Sequence, residues 1–204
     1  MDKEYKQLTM NVLTNESDEL SLSIFNENFD NLFNSLKIEY KKNGVVCFSG
    51  NRPTCLPWQY NEDCELFRVF KLRLEKVLQL FIENGYTKFI SGMAMGFDLI
   101  SAEVLLKLKE NQNNLCLECA VPCLNQTKGW RYDYIIRYQK VLNKADKVVF
   151  TSNYKYFDGC YMIRNRYMVD SSDYVLGCQI KQSSGTKSTL VYARKKQKNI
   201  IVLH

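Results

Sequence analysis

Residues 87–108 have the sequence TKFISGMAMGFDLISAEVLLKL, and this stretch decides the fold. Residues 88–90 are apolar enough for a short buried strand, and Ser91-Gly92-Met93-Ala94-Met95-Gly96 is a glycine-bearing turn. Asp98 is expected to cap a helix that continues through Leu106, because Asp is favoured at helix N-termini. The stretch therefore predicts one strand–turn–helix unit of an α/β domain.

The same turn has the geometry of an anion site. Glycine lets the backbone approach a ligand closely, and the free N–H groups and dipole of a helix N-terminus favour negative charge. The alternative is an ordinary strand–helix connection that needs glycine only for its turn. The G-x-x-x-G spacing of Gly92 and Gly96 differs from the dinucleotide fingerprint, so a standard NAD site is not indicated.

Length and composition indicate one α/β domain with an extension. The chain has 204 residues, of which 46% are hydrophobic. No apolar run has the length of a membrane span, and the N-terminus lacks a signal-peptide core. We therefore expect a cytoplasmic protein that does not associate with a membrane.

The cysteines do not indicate a metal site. The eight cysteines lie mostly in apolar contexts, and Cys116, Cys119 and Cys123 fall along a predicted strand, where residues three apart point to opposite faces. The only histidine is His204, which argues against Ser/His or Cys/His catalysis. We expect reduced thiols, no metal and no resident cofactor.

The charge is divided unevenly at residue 43. Residues 1–43 hold 5 Lys/Arg and 8 Asp/Glu, whereas residues 44–204 hold 23 and 14. A domain with a net charge of +9 suits an anionic ligand, either a nucleotide or a nucleic acid. The N-terminal extension, residues 1–43, contains an amphipathic helix with apolar positions from Leu22 to Leu36, which packs on its own domain or forms a dimer contact.

Strands and helices alternate along the rest of the chain. Short apolar strands are predicted at 44–48, 88–90, 115–121, 147–150, 174–178 and 200–203, and helices at 63–84, 98–108, 132–142, 160–169 and 187–198. Alternation of this kind is typical of a doubly wound, mainly parallel sheet with helices on both faces. The fold class is therefore α/β.

Three further segments carry candidate ligand contacts at the ends of strands. Arg52 follows Gly50 where open α/β sheets bind ligands, although it is equally compatible with a surface arginine. Gln126 and Trp130 offer an amide and an aromatic plane for a base, with core packing of Trp130 as the alternative. The turn 183–186, Ser-Ser-Gly-Thr, is a second glycine turn before a helix, which is either an anion site or only an N-cap.

Five of these segments occur together in one known family. The motifs are GNRP (50–53), ISGMAMGFD (90–98), AVPCLNQTKGW (120–130), RNRYMVDSSDYVLG (164–177) and SSGTKSTLVYA (183–193). In order and spacing they resemble the YpsA-like branch of the SLOG superfamily, which also holds the Lonely Guy phosphoribohydrolases, the DNA-processing protein DprA and sensor domains of antiviral systems. The resemblance covers residues 44–204 and implies a Rossmann-like domain with a nucleotide-type pocket at the carboxyl edge of its sheet.

The motif positions and the residue-level arguments together give one set of ligand-binding candidates. These are Gly50, Arg52, Ser91, Gly92, Met93, Gly96, Asp98, Gln126, Trp130, Arg164, Asn165, Ser184, Gly185 and Thr186. The chain departs from the Lonely Guy pattern at two places. Ser184 stands where a glycine is usual, and Ser188 and Thr189 stand where a catalytic glutamate is expected.

Three functions remain open at this point. The first is binding of a nucleotide-derived small molecule by a sensor, carrier or sequestering protein. The second is a nucleotide N-glycoside hydrolase or transferase of Lonely Guy type, for which Arg164 and Asp98 are the candidate catalytic residues. The third is DprA-like binding of single-stranded DNA. The resemblance also implies a homo-oligomer.

Overall fold

A computed structural model describes residues 6–8, 33–34, 36–180 and 184–203, with only the backbone at positions 6–8 and 184. The elements alternate as the sequence predicts. They are β1 Lys6–Leu8, β2 Gly44–Gly50, a 3-10 turn Pro53–Cys55, α1 Glu65–Glu83, β3 Tyr86–Ser91, α2 Phe97–Lys109, β4 Cys116–Val121, α3 Tyr132–Lys144, β5 Lys147–Phe150, α4 Cys160–Asp170, β6 Tyr174–Cys178, α5 Ser184–Lys195 and β7 Asn199–Leu203.

The strands form one sheet in the order β1-β7-β6-β2-β3-β4-β5, and all of the pairs are parallel. From β2 the chain adds β3, β4 and β5 on one side, and then returns to place β6 on the other side of β2. The direction of winding therefore reverses between β2 and β6. In open α/β sheets this switch point forms the crevice that receives ligands. The prediction of a doubly wound, Rossmann-like α/β fold is confirmed.

Two apolar cores lie on opposite faces of the sheet. Phe48 of β2 belongs to the core that holds Phe70 and Leu74 of α1, whereas the adjacent Cys47 belongs to the core that holds Met168 of α4 and Leu190 of α5. Successive side chains of a strand point to opposite faces, so a strand covered on both sides has to be apolar throughout. This requirement explains the continuous apolar runs in β2 and β6.

The segment before β2 contributes to the domain. β1 pairs with β7, Leu36 and Ile38 are buried in the first core, and Lys41 forms an ion pair of 2.5 Å with Asp173. The polar sequence around residues 6–8 did not predict this edge strand. Most of the predicted stripe from Leu22 to Leu36 lies outside the described residues, and a boundary at residue 43 stays a prediction.

Two local assignments from the sequence were wrong. The helix predicted from residue 187 begins at Ser184, so Gly185 and Thr186 lie in the first turn of α5 and not in a turn before it. The N-cap of α2 is Gly96, and no side chain caps this helix. Asp98 lies inside the first turn, where it is buried. Within the described ranges, the search for a helix long and apolar enough to cross a membrane found none.

Candidate functional site

A cavity of about 370 Å³ opens at the carboxyl edge of the sheet, above the switch point between β2 and β6. Seven of the sequence-predicted residues meet there, although they come from four separate segments of the chain. The lining consists of Ser49, Gly50, Arg52, Thr54, Cys55, Ala94, Asp98, Tyr161, Arg164, Asn165, Gly185 and Thr186. The parallel topology explains this convergence, because it brings every strand-to-helix connection to one edge.

Asn51 holds the switch point together. Its N–H donates to the carbonyl of Cys178 at 2.9 Å, and its Oδ1 accepts the N–H of Ile180 at 2.8 Å. Its carbonyl accepts the N–H of Phe97 at 3.1 Å, which joins the end of β2 to the start of α2. The sequence reasoning passed over Asn51 within its GNRP motif. Its position directly after Gly50, at the carboxyl end of β2, was the available signal.

Arg52 is exposed at the rim of the cavity. Its guanidinium lies 5.8 Å from the ring centroid of Tyr161. Across the part of the chain that the structure describes, no carboxylate forms an ion pair with Arg52. The charge of this arginine is therefore available to an anion in the cavity.

Asp98 forms part of the cavity floor and connects two motifs. Its Oδ1 accepts the N–H of Gly50 at 3.0 Å, so the carboxylate fastens the end of β2 and does not cap its own helix. Burial raises the pKa of Asp98 to about 6, although the nearby Arg164, the Gly50 N–H and Arg52 all act to lower it. The carboxyl group therefore exchanges its proton close to neutral pH.

The turn 91–96 is stabilised from within and from below. The hydroxyl of Ser91 accepts the N–H of Met93 at 3.1 Å and donates to the carbonyl of Asp98 at 2.9 Å. The buried amide of Gln126 donates to the carbonyls of Gly92 and Met93 at 3.2 and 2.9 Å. Ser91, Met93 and Gln126 thus build the turn and do not line the cavity.

Trp130 lies outside the cavity lining as well. It packs at the margin of the first core, where its ring meets Tyr138 edge-on at 5.6 Å. The hydroxyl of Tyr138 donates in turn to Oε1 of Gln126 at 3.3 Å. The aromatic ring at the cavity is instead Tyr161, which the sequence reasoning missed. The sequence contained one indication of this role, because Tyr161 precedes Arg164 by three residues on α4 and both therefore lie on one helix face.

Arg164 is buried beneath the cavity and only 4% exposed. Its Nη1 donates to the carbonyl of Gly92 and its Nε donates to Oδ1 of Asn165 at 2.7 Å. Burial lowers the pKa of Arg164, and the charge of Asp98 opposes that change. A Cβ on Gly92 would lie 2.7 Å from both Arg164 Cζ and Asp98 Oδ2, so this close approach requires glycine.

Gly96 is required for a different reason. Its φ is +102°, and a Cβ there would lie 2.5 Å from the carbonyl oxygen of Asn51. An L side chain rarely adopts this backbone conformation. The two glycines of the turn are therefore explained by packing and conformation, whether or not the turn also contacts a ligand.

The first turn of α5 contributes Gly185 and Thr186 to the cavity lining. Gly185 is exposed, and a Cβ built on it would meet no described atom within 4 Å. Thr189 donates to the carbonyl of Gly185 at 3.0 Å, and its hydroxyl accepts Nδ2 of Asn165 at 2.7 Å. A hydroxyl thus occupies one of the positions where the Lonely Guy pattern has a carboxylate. The side chain of Ser184 lies outside the described residues.

The remaining chemistry of the site is that of polar and charged side chains. Among the described residues, no group of three or more His, Cys, Asp and Glu is arranged to hold a metal ion. The lining combines two arginines, one carboxyl group of raised pKa, an amide, several hydroxyls and one tyrosine ring. Such a set suits a phosphorylated polar ligand with an aromatic part.

Comparison with known proteins gives matches of three kinds. The model of the YspA SLOG family (YpsA) matches residues 46–201. UPF0398 proteins of Bacillus thuringiensis (strain Al Hakam) and Bacillus cereus (strain AH187) are each 28% identical over 161 residues, which is 78% of this chain and 87% of theirs.

Two solved structures share the fold. DNA processing protein A of Helicobacter pylori, described for its single-stranded DNA binding mode, superposes with a TM-score of 0.54 at 20% identity and covers 80% of this chain. DprA of Streptococcus pneumoniae gives a TM-score of 0.53 at 16% identity and covers 78%. This chain spans 66% of the first protein and 50% of the second.

Proposed function

Because this chain belongs to the YpsA family of SLOG proteins, we propose that its cavity binds a nucleotide-derived small molecule as a sensor, carrier or sequestering protein. The observation that supports this proposal best is the convergence of Arg52 and the first turn of α5 on one cavity at the switch point. An exposed arginine that forms no ion pair with the described residues and a helix N-terminus are both typical phosphate ligands.

The phosphate lies between Arg52 and Gly185 in this proposal. No atom of the described residues fills the space beside Gly185, so an anion can approach the backbone of α5, where the helix dipole favours negative charge. The guanidinium of Arg52 forms charge-assisted hydrogen bonds with the same phosphate. Residues of the turn 91–96 support the cavity floor and contribute less directly, because Met93 already donates its N–H to Ser91.

The sugar and the base occupy the remainder of the cavity. Asp98, Asn165 and Thr54 offer acceptors and donors for ribose hydroxyls, and Tyr161 offers an aromatic face for the base. The ring of Tyr161 lies within 6 Å of the guanidinium carbons of both Arg52 and Arg164, which fixes its orientation. These assignments follow from the chemistry of the lining side chains.

A binding screen with paired variants tests the proposal. We expect AMP, ADP-ribose, NAD or a cyclic dinucleotide to raise the melting midpoint, because ligands that bind only the native state stabilise it. Arg52→Gln should weaken the binding of a hit about 10- to 150-fold in calorimetry, since a hydrogen bond to a charged group contributes about 1.5–3 kcal/mol.

The matched control is Arg68→Gln, which removes an exposed arginine of α1 that does not line the cavity. Arg68→Gln should leave the affinity unchanged. Equal loss in both variants would point to a general charge effect, and no loss in Arg52→Gln would place the phosphate elsewhere.

A second candidate is N-glycoside hydrolysis or transfer, which the raised pKa of Asp98 favours. A buried carboxyl group with a pKa of about 6 is suited to proton transfer near neutral pH. Each hit should therefore be incubated with the protein and analysed by chromatography. Recovery of free base and ribose phosphate, abolished by Asp98→Asn, would establish the enzyme. Recovery of intact ligand would leave the binding function.

Single-stranded DNA is a third candidate, which the shared fold of DNA processing protein A keeps open. The net charge of +9 on residues 44–204 is compatible with it. Binding to phosphates along a strand would weaken steeply with salt concentration, in proportion to the number of contacts. A DNA affinity that stays flat between 50 and 200 mM salt, or its absence, would exclude this function.

Association with a second copy is also proposed, with the stripe from Leu22 to Leu36 as the candidate contact. Light scattering of the full chain measures the mass directly. A dimer that Phe29→Glu dissociates would support the proposal, whereas a monomer at micromolar concentration would refute it.

A further inference from the structure

An aromatic surface borders the cavity on the side of α4. The loop 151–159 between β5 and α4 exposes Tyr154, Tyr156 and Phe157, which we call the aromatic platform, and its tyrosines are 74% and 55% exposed. The platform is continuous with the cavity, because the ring of Tyr156 lies 5.8 Å from that of Tyr161 at an angle of 46°. A ligand that leaves the cavity past Tyr161 therefore meets the exposed ring of Tyr156.

The platform is held in place by backbone contacts. The N–H of Leu124 donates to the carbonyl of Tyr154 at 2.9 Å, and the N–H of Tyr156 donates to Oδ1 of Asn125 at 2.6 Å. The N–H of Cys160 donates to the carbonyl of Phe157 at 3.2 Å, where α4 begins. The rings are thus presented by a loop that is fixed at both ends, and a pre-organised surface loses less entropy on binding.

We propose that the platform stacks the second base of a dinucleotide whose first nucleotide occupies the cavity. This inference rests on the proposed function of the cavity. At about 370 Å³ the cavity is near the lower end of the range for ligand pockets, so a second nucleoside unit has to lie outside it. Exposed rings next to a nucleotide pocket provide the stacking surface that a base prefers.

The charges of the platform favour a dinucleotide over a longer strand. In the loop 151–159 the charged residues are Lys155 and Asp158, whose charges cancel. A surface that follows a nucleic-acid backbone needs a groove of positive charge beside its stacking rings. Arg52, which is exposed among the described lining residues, suits the linking phosphates of one dinucleotide.

Calorimetry with two matched ligands tests this inference. Diadenosine diphosphate and ADP-ribose differ only in the second adenine, so their affinity ratio measures what that base contributes. We expect the protein to bind diadenosine diphosphate about 5- to 150-fold more tightly, which corresponds to the range of about 1–3 kcal/mol for stacking of one base on an aromatic side chain.

Variants of Tyr156 test whether this ring provides the affinity that the second adenine contributes. Tyr156→Ala should remove most of the preference for diadenosine diphosphate over ADP-ribose and leave the affinity for ADP-ribose unchanged. Tyr156→Phe should keep this preference, because it retains the ring. Tyr40→Ala is the control, since Tyr40 is an exposed tyrosine beside Gly85, before the amino end of β3. The melting midpoint of each variant verifies that it folds.

Several results would overturn the inference. Equal affinities for the two ligands would mean that the second base makes no contact, while binding of ADP-ribose would still support the proposed function. Affinity that rises steadily through oligo(dA) of 2, 4 and 8 nucleotides would identify a nucleic-acid surface. A change of oligomeric mass in Tyr156→Ala, with the affinity ratio intact, would identify a protein contact. Absence of any nucleotide binding would refute both proposals together.

Discussion

Replacing Asp98 by asparagine should remove a pH dependence of stability that the wild-type protein carries. Asp98 is buried, and its pKa is raised from 3.8 to about 6 in the folded protein. Asparagine keeps the Oδ1 acceptor that the N–H of Gly50 uses, so the variant retains the local hydrogen bond. The change therefore isolates the charge of one carboxyl group.

The sign follows from proton linkage. A carboxyl group whose pKa is higher in the folded state binds its proton more tightly there, so its contribution to stability is full below pH 3.8 and is lost as the pH rises through about 6. The free energy of unfolding falls by about 3 kcal/mol in total, because each unit of difference in pKa corresponds to about 1.36 kcal/mol. About 1.3 kcal/mol of this loss falls between pH 5 and pH 7. Arg164 stays charged in this range, because guanidinium groups are not deprotonated in proteins.

Urea denaturation at several pH values measures the effect. The quantity to follow is the free energy of unfolding of the wild type minus that of Asp98→Asn, because this difference cancels every group the two proteins share. It should fall by about 1.3 kcal/mol from pH 5 to pH 7 and then level off. Asp63→Asn, at an exposed carboxylate, is the control for the removal of one surface charge. A flat difference for Asp98→Asn would refute the argument, because the buried carboxyl would then not titrate near neutral pH.

Three substitutions outside the cavity lining test the stability of the fold, each by urea denaturation at pH 7. Gly96→Ala should destabilise by about 1–3 kcal/mol, since its φ of +102° and the carbonyl of Asn51 oppose a Cβ, and an unchanged midpoint would contradict that reason. Arg137→Met should lower the free energy of unfolding by about 1–3 kcal/mol, because the bidentate ion pair of Arg137 with Glu103 is partly buried. If this difference in stability disappears in 1 M salt, the pair is exposed to solvent instead. Phe70→Ala should cost about 3–5 kcal/mol through the cavity it leaves in the first core, and a cost below 1 kcal/mol would mean that α1 collapses into the gap.

Local patterns predicted the elements well, because each depends on residues close together in the chain. The amphipathic spacing of residues 66–81 predicted α1, and the apolar runs of β2 and β6 predicted strands covered on both faces. The start of α5 was misplaced by three residues, because Gly185 lies in its first turn although glycine usually marks a break. The edge strand β1 was missed because its polar sequence lacks a strand pattern, and pairing with β7 decides it.

One part of the candidate site was predictable from the sequence, and another part depends on the tertiary structure. Parallel topology places the segments around Arg52, Asp98 and Gly185 at one edge, and this placement follows from the order of strands and helices alone. The assignment of Asp98 as a helix cap used only its local sequence and was wrong. Its actual partner, the N–H of Gly50, lies 48 residues away.

The sequence by itself therefore determined the fold class, the edge of the sheet at which the strand-to-helix connections with the candidate residues lie, and the net positive charge of residues 44–204. Only the tertiary structure decided which side chains face the cavity. The guanidinium of Arg164 donates a hydrogen bond to the carbonyl of Gly92, which lies 72 residues away in the sequence. The side-chain amide of Gln126 donates to the same carbonyl. The physical reason is that a buried polar group forms its hydrogen bond with whichever partner the packing brings within reach. The spacing of nearby residues in the sequence does not predict that partner.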